Sequence, residues 1–160
     1  MSEGNIEKLQ SICEKINVTL TCKGIINTQM MNDSQDVSPQ EVHTRYERGY
    51  QAWLVDNYIA AIEEFSWLTL HYPLEPQFHL ALAGAMQMQQ EFTLALSAYA
   101  CALLLEAQDP EPVYQMAVCL QAMGNGADAR EALQTAIEMS YLNSEYAPTA
   151  EKANQLLNSI

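Results

Sequence analysis

Three aromatic side chains, Tyr46, Tyr50 and Trp53, follow one another at intervals of four and three residues. On an α-helix this spacing places them in one stripe along one face. Aromatic rings offer a large apolar area together with a polar edge, so a stripe of them suits the binding of another polypeptide. The same spacing is typical of a helix face packed in a core. For Tyr50 and Trp53 the sequence leaves both interpretations open, because an N-terminal arm (residues 1–37) could cover them.

The polar residues form no catalytic pattern. Glu63 and Glu64 are adjacent and therefore point apart on a helix, and no G-x-S-x-G, H-E-x-x-H or P-loop segment occurs. His43, His71 and His79 lack the mutual spacing of a catalytic or metal site, so we expect solvated or capping roles for them. We therefore expect no enzyme activity, no cofactor and no metal.

The four cysteines, Cys13, Cys22, Cys101 and Cys119, include no C-x-x-C pair and no histidine at ligand spacing. We expect four reduced thiols, some of them buried as small apolar side chains. The first twenty residues contain three glutamates and no apolar core of a signal peptide. No run of about 18 apolar residues predicts a membrane helix. These features predict a protein of the cytoplasm.

The charge distribution excludes several classes of partner. The chain has 20 acidic and 7 basic residues and a formal net charge of −13, with no lysine or arginine between Arg48 and Arg130. Nucleic-acid binding needs basic side chains against phosphate, and so does attachment to an anionic membrane surface. We therefore expect neither nucleic acid nor membrane as a partner, but a neutral or apolar polypeptide.

A fixed interval in the sequence predicts the elements that position the aromatic stripe. Small or apolar residues recur at this interval, the repeat period, in four sets: Gly49, Ala83, Ala117; Ala61, Ala95, Ala129; Phe65, Tyr99, Leu133; and Leu68, Ala102, Ala136. A period of about 34 residues is that of the helix-turn-helix unit known as the tetratricopeptide repeat. Such units bury their apolar faces only by stacking, which creates a concave groove. The predicted fold class is therefore all-α, an α-solenoid of three tetratricopeptide repeats.

Composition and helix-start signals divide the chain into two parts. Residues 1–37 are predicted to be an N-terminal helical arm and linker, with an amphipathic helix at 5–20 and an irregular segment at 21–37. Residues 38–160 are predicted to be the repeat domain, beginning at an N-capping Ser38 followed by Pro39. The repeats cover about 42–75, 76–109 and 110–143, and a capping helix covers about 144–158. The arm helix must dock on the body, on a second copy or on cargo.

The first helix of each repeat lines the groove of such a solenoid, which selects the candidate binding residues. We predict these peptide-binding residues: Tyr46, Tyr50, Trp53, Leu80, Met88 and Tyr114. Gln87 and Gln121 are predicted to offer hydrogen bonds to a peptide backbone, and the groove is predicted to carry no cation. Trp67 and Tyr99 are predicted to lie in the core instead.

Three local segments, together with the three repeats, the arm, the closing helix and the acidic total, resemble a known family. They are Lys23-Gly24-Ile25-Ile26 before the first repeat, Tyr46-x-x-x-Tyr50-x-x-Trp53 on its first helix, and Glu111-Pro112-x-Tyr114-x-x-Ala117-x-Cys119 at the third repeat. The chain is similar here to the class II type III secretion chaperones. The second glycine that the family has beside Gly24 is missing, and His79 stands where an aromatic is usual.

This resemblance implies a function and a set of partners. The chain is expected to be a bacterial cytoplasmic chaperone that holds an extended segment of a hydrophobic translocator protein in its groove. The chaperone would prevent premature association or membrane insertion of that client before secretion. The resemblance also implies a homodimer through the arm and, in some relatives, a transcription-activator partner. The alternative is a generic tetratricopeptide scaffold or co-regulator that mediates another protein–protein interaction, such as a scaffold that clamps a charged C-terminus. The absence of lysine and arginine from the inner helices of the second and third repeats argues against that alternative.

Overall fold

The computed structural model describes residues 3–26 and 38–160, and within these ranges every regular element is a helix. The remainder of the predicted irregular segment, residues 27–37, lies outside the described residues. The helices are α1 (Glu3–Cys22), α2 (Pro39–Leu54), α3 (Tyr58–His71), α4 (Pro76–Met88), α5 (Phe92–Leu105), α6 (Glu111–Ala122), α7 (Gly126–Ser140) and α8 (Ala147–Ser159). A short 3-10 turn at Ser144–Tyr146 connects α7 to α8.

Side-chain caps begin three of these helices. The Ser38 hydroxyl accepts a hydrogen bond from the backbone N–H of Glu41 at 3.2 Å, and Pro39 occupies the first helical position, as the sequence predicts. Asn57 and Asn125 cap α3 and α7 in the same way through their side-chain oxygens. Each cap satisfies a backbone donor that the helix itself leaves without a partner.

The turn inside each repeat uses the same backbone conformation. Asp56, Gln90 and Gly124, which follow one another at the repeat period, have φ of 61°, 64° and 80°. This left-handed conformation is free of steric cost only for glycine. The first two repeats therefore adopt it at a cost that the third avoids.

The helices stack in chain order, which confirms the predicted solenoid. Each of α2 to α7 packs on the helix that follows it in the chain, and α8 closes the end by packing on α7 and α6. The four predicted sets of small and apolar residues at the repeat period are all buried. Gly49 shows why small residues are needed: a Cβ there would lie 2.5 Å from Cε1 of Phe65.

Helix α1 docks on the body, one of the three possibilities that the sequence left open. It packs on α5 and α3 through Leu9, Cys13, Ile16 and Leu20, which are buried in the same apolar cluster as the first two repeats. Beyond its end, the Lys23 ammonium lies 2.6 Å from Oε2 of Glu91. The helix extends beyond the predicted amphipathic segment by one half-turn at each end.

One of the three histidines differs from the solvated or capping role expected of it. His79 is almost completely buried, and its Nε2 lies 2.7 Å from the carbonyl oxygen of Pro73. His71 takes a capping role: in the last turn of α3 its Nδ1 lies 2.9 Å from the carbonyl oxygen of Trp67, and its ring stacks on Trp67 with centroids 4.1 Å apart. His43 is exposed as expected. Within the described ranges, no helix combines the length and the apolar character that crossing a membrane requires.

Candidate peptide-binding groove

The inner faces of α2 and α4 enclose an open apolar pocket of about 230 Å³. Its lining residues are Tyr46, Tyr50, Trp53, Phe65, Leu80, Ala81 and Gly84. Four of the six predicted binding residues therefore line one pocket. Their side chains come from two successive repeats, so the stacking of α2 against α3 and of α3 against α4 is what brings them together.

The three aromatic residues of the stripe play different parts in this pocket. Tyr46 is half-buried and contacts Phe65 and Phe78, with ring centroids 5.8 and 5.9 Å away. Tyr50 is 50% exposed and Trp53 is 37% exposed. Tyr46 thus forms part of the floor, whereas Tyr50 and Trp53 form an accessible rim.

Helix α1 does not cover the stripe. It packs on α5 and α3, and none of its residues lines the pocket. The described part of the arm, residues 3–26, therefore leaves the apolar rim accessible. A rim of large, exposed aromatic side chains is typical of an interaction surface.

A second pocket of about 320 Å³ continues the first along the solenoid. It is lined by Trp53, Leu80, Gly84, Gln87, Met88, Tyr99, Glu111 and Gln115. Because Trp53, Leu80 and Gly84 line both pockets, the two form one groove. Met88 enters the lining here with 48% of its surface exposed.

A chain of hydrogen bonds crosses the second half of the groove. The Tyr99 hydroxyl donates to Oε1 of Gln87 at 2.6 Å, and Nε2 of Gln87 donates to Oε1 of Gln115 at 3.2 Å. Nε2 of Gln115 in turn donates to Oε1 of Glu111 at 3.0 Å. Burial raises the pKa of Tyr99, so its hydroxyl remains a donor. Gln87 is therefore oriented by the protein, and its amide keeps a second N–H and a second lone pair for the peptide contact that the sequence predicts.

The series of hydrogen bonds ends at Glu111, whose negative charge is compensated by side chains of α8. Lys152 Nζ lies 2.7 Å from Oε1 of Glu111, and the Thr149 hydroxyl donates to Oε2 at 3.0 Å. Burial opposes ionisation of this carboxyl, but the hydrogen bonds from Lys152, Gln115 and Thr149 outweigh it and lower the pKa of Glu111. The carboxylate is thus held ionised at the third-repeat end of the groove.

The sixth predicted residue, Tyr114, lies apart from the other five. It is half-buried against the apolar cluster of the third repeat, and the Lys152 ammonium lies 4.8 Å from its ring centroid. Gln121, the other predicted amide, is exposed and lines neither pocket. Whether any of these residues binds a peptide remains a prediction.

Sequence reasoning missed Phe65, Glu111 and Gln115 as lining residues. Phe65 could have been found from the sequence, because large residues recur at its repeat position in step with small residues at the position of Gly49. In the structure Phe65 lies directly against Gly49. Lys152 was also missed, since the sequence of α8 indicates only a capping helix. The groove lining contains no lysine or arginine in the described residues, although Lys152 reaches its edge through Glu111.

Comparison with known proteins finds similarity in structure only. No protein-family profile matches the chain, and no curated protein matches it in sequence. Solved structures match it closely in fold. A chain of the CopN–Scc3 complex is 24% identical, with a TM-score of 0.72, covering 88% of this chain and 85% of that one.

Two translocator chaperones share the fold. The Yersinia enterocolitica type III secretion chaperone SycD, in complex with a peptide of the translocator YopD, is 20% identical with a TM-score of 0.71, covering 78% of this chain and 95% of that one. PcrH of Pseudomonas aeruginosa, in complex with the chaperone-binding region of PopD, is 17% identical with a TM-score of 0.72, covering 79% and 95%. The chain therefore has the fold of these chaperones, which confirms the predicted structural resemblance.

Proposed function

We propose that this protein is a chaperone of a type III secretion system that binds an extended segment of a hydrophobic translocator protein. The observation that carries the proposal is the continuous groove rimmed by Tyr50, Trp53, Leu80 and Met88, which the described chain leaves open. Support also comes from the fold, which this protein shares with SycD and PcrH. Structures of both chaperones have been solved with translocator segments.

The shape of the groove favours an extended peptide over a folded domain. Its two pockets, of about 230 and 320 Å³, follow one another along the helix stack. In an extended chain, alternate side chains point to the same side. Each fully buried apolar anchor contributes about 1.5–3 kcal/mol. Two or three anchors contribute about 3–9 kcal/mol before the entropic cost of association is subtracted, so a Kd of about micromolar also needs contacts to the rest of the peptide.

The proposed mechanism is masking without catalysis. By holding a client segment, the chaperone keeps the apolar helices of the client from associating or inserting into a membrane before secretion. We propose no enzymatic step, since packing and hydrogen bonding in the groove are sufficient for masking. A homodimer through the arm would use the outer face of α1, where Val18 is exposed, because the inner face packs on the body. A transcription activator would likewise be a protein partner.

The proposal is tested by co-expression with a translocator encoded near this gene. We expect a soluble complex that is lost in Gly84→Leu. A Cβ on Gly84 would meet no atom within 4 Å, so the leucine fills the groove without disturbing the fold. Tyr141→Ala is the matched control, since Tyr141 is 81% exposed and lines neither pocket. Failure of every translocator to bind, or full binding by Gly84→Leu, would refute the proposal.

The same assay distinguishes the alternative scaffold function. A scaffold that clamps a C-terminal carboxylate needs cationic donors in the groove, and the described lining contains none. We therefore expect a translocator segment to bind equally well with a free or an amidated C-terminus. Binding that requires the free carboxylate would favour the scaffold.

A further inference from the structure

Three side chains from three different helices meet beneath the arm, outside the groove. Cys13 on α1, His79 on α4 and Cys101 on α5 are all buried, and their potential ligand atoms all lie within 4.8 Å of one another. None of the three lines the groove. Chain spacing concealed the cluster, because the three residues are widely separated in the sequence.

The repeat architecture does not require these residue types. One repeat period before His79 and Cys101 stand Arg45 and Trp67, and the Arg45 guanidinium lies 4.1 Å from the Trp67 ring centroid. One repeat period after them stand Val113 and Thr135. Only in the second repeat, where Cys13 approaches from the arm, does this junction consist of sulfur and imidazole.

The hydrogen bonding around His79 suits a metal ligand. Its Nε2 lies 2.7 Å from the Pro73 carbonyl oxygen, which only accepts, so Nε2 carries the proton and Nδ1 keeps a free lone pair. In most metal-binding histidines, the ring nitrogen that does not bind the metal donates a hydrogen bond of this kind, which orients the ring.

We propose that Cys13, His79 and Cys101 bind one Zn²⁺ ion. Two thiols would each release a proton on binding, and two thiolates with Zn²⁺ give a site of zero net charge. A Cu⁺ ion with the same ligands would leave a net charge of −1 in an apolar interior, which is costly. Zn–S and Zn–N bonds of about 2.3 and 2.0 Å require only a small closing of the cluster.

Zinc usually has four ligands, and the arm offers a candidate for the fourth. The amide oxygen of Asn17, one helical turn after Cys13, is buried and has no hydrogen-bond partner among residues 3–26 and 38–160, while its Nδ2 donates to the Cys13 carbonyl at 2.8 Å. The fourth ligand would be this oxygen or a water molecule. Bound zinc would tie α1 to α4 and α5 and thereby hold the arm on the body.

The test uses the purified full chain, reduced and freed of metal, titrated with Zn²⁺ against a chromophoric chelator. We expect one ion per chain and a rise in Tm of about 5 °C at saturating zinc. Co²⁺ in place of zinc should give a thiolate-to-cobalt absorption band. Cys13→Ala and Cys101→Ala should each weaken zinc binding by about 100-fold or more. Cys119→Ala, a buried cysteine outside the cluster, and the exposed Cys22→Ala are matched controls.

Several outcomes would overturn the proposal. Wild-type protein that binds no zinc, or binds Cu⁺ but not zinc, contradicts it without any variant, so a variant that fails to fold does not protect it. A loss of zinc binding in Cys119→Ala as large as in Cys101→Ala also contradicts the proposal. So does full zinc binding by Cys13→Ala. Translocator binding is independent of these results, because no groove residue takes part.

Discussion

The two halves of the groove differ although the repeat places equivalent residues in both. Tyr46 and Tyr114 occupy the same repeat position, separated by two repeat periods. Around Tyr46 the neighbours are Phe65 and Phe78, and the pocket beside it is apolar and open. Over Tyr114 lies the Lys152 ammonium, which also binds Glu111. The first half thus offers an apolar surface, and the third-repeat end is a polar network.

The neighbour of an inner-face residue, and not its repeat position, therefore decides what that residue does. A helix in the middle of a solenoid packs against another repeat, whose sequence follows the same apolar pattern. The third repeat packs against α8, whose sequence does not follow the repeat pattern. Thr149 and Lys152 on α8 bind Glu111, and the Lys152 ammonium also lies over the ring of Tyr114.

The strongest test truncates Trp53, which lines both pockets, and Tyr114, which lines neither. Trp53→Ala should weaken binding of a client segment by about 10- to 100-fold, because it removes an anchor that contributes about 1.5–3 kcal/mol. Tyr114→Ala should weaken it by less than about 3-fold, a change of about 0.6 kcal/mol. Isothermal titration calorimetry measures both. Equal losses would mean that the client also occupies the third-repeat end.

A second test breaks the polar network itself. Glu111→Ala removes the acceptor for Gln115, Thr149 and Lys152, so we expect a loss of about 2–3 kcal/mol in the free energy of unfolding. Urea unfolding measures this change. Glu106→Ala, at an exposed position just before the third repeat, should change stability by less than about 0.5 kcal/mol. A Glu111 variant as stable as the control would show that the network contributes nothing to the closed end.

A third test compares two glycines on the groove helices. Gly49→Ala places a Cβ 2.5 Å from Phe65 and should destabilise the protein by about 1–3 kcal/mol. Gly84→Ala meets nothing within 4 Å, so the gain in helix propensity should stabilise it by about 0.5–1 kcal/mol. Thermal unfolding should therefore shift in opposite directions. Shifts of the same sign would contradict the packing described around Gly49.

Much of the fold could be predicted because one constraint recurs. Wherever two helices cross closely, only a small side chain fits, and the regular spacing of Gly49, Ala83 and Ala117 records that constraint in the sequence. The stripe at Tyr46, Tyr50 and Trp53 could be placed on the inner face for the same reason. Sequence alone could not rank these three, because exposure depends on Phe78 of the next repeat.

Contacts between segments outside the period could not be predicted. Lys152 reaches Glu111 from α8, and Cys13 reaches Cys101 from the arm, and neither pair is related by the repeat. No other histidine or cysteine stands at metal-ligand spacing from His79 in the sequence, so the sequence favours a solvated position. The fold nevertheless buries this side chain. Such contacts are set by how unlike elements dock, which a periodic pattern does not encode.

The weakest effect that we expect is a dependence of the free energy of unfolding on pH, caused by Glu111 at the third-repeat end of the groove. The pKa of Glu111 is lowered from its ordinary value of 4.5, so the unfolded chain binds a proton there more readily than the folded chain does. Its stabilising contribution is therefore complete above about pH 4.5 and is lost as the pH falls through the folded pKa. Urea unfolding of the wild type and Glu111→Gln should differ most near neutral pH and converge in acid. Glu106→Gln is the control at an exposed position, and a wild-type advantage that stays constant as the pH falls would show that ionised Glu111 does not stabilise this end.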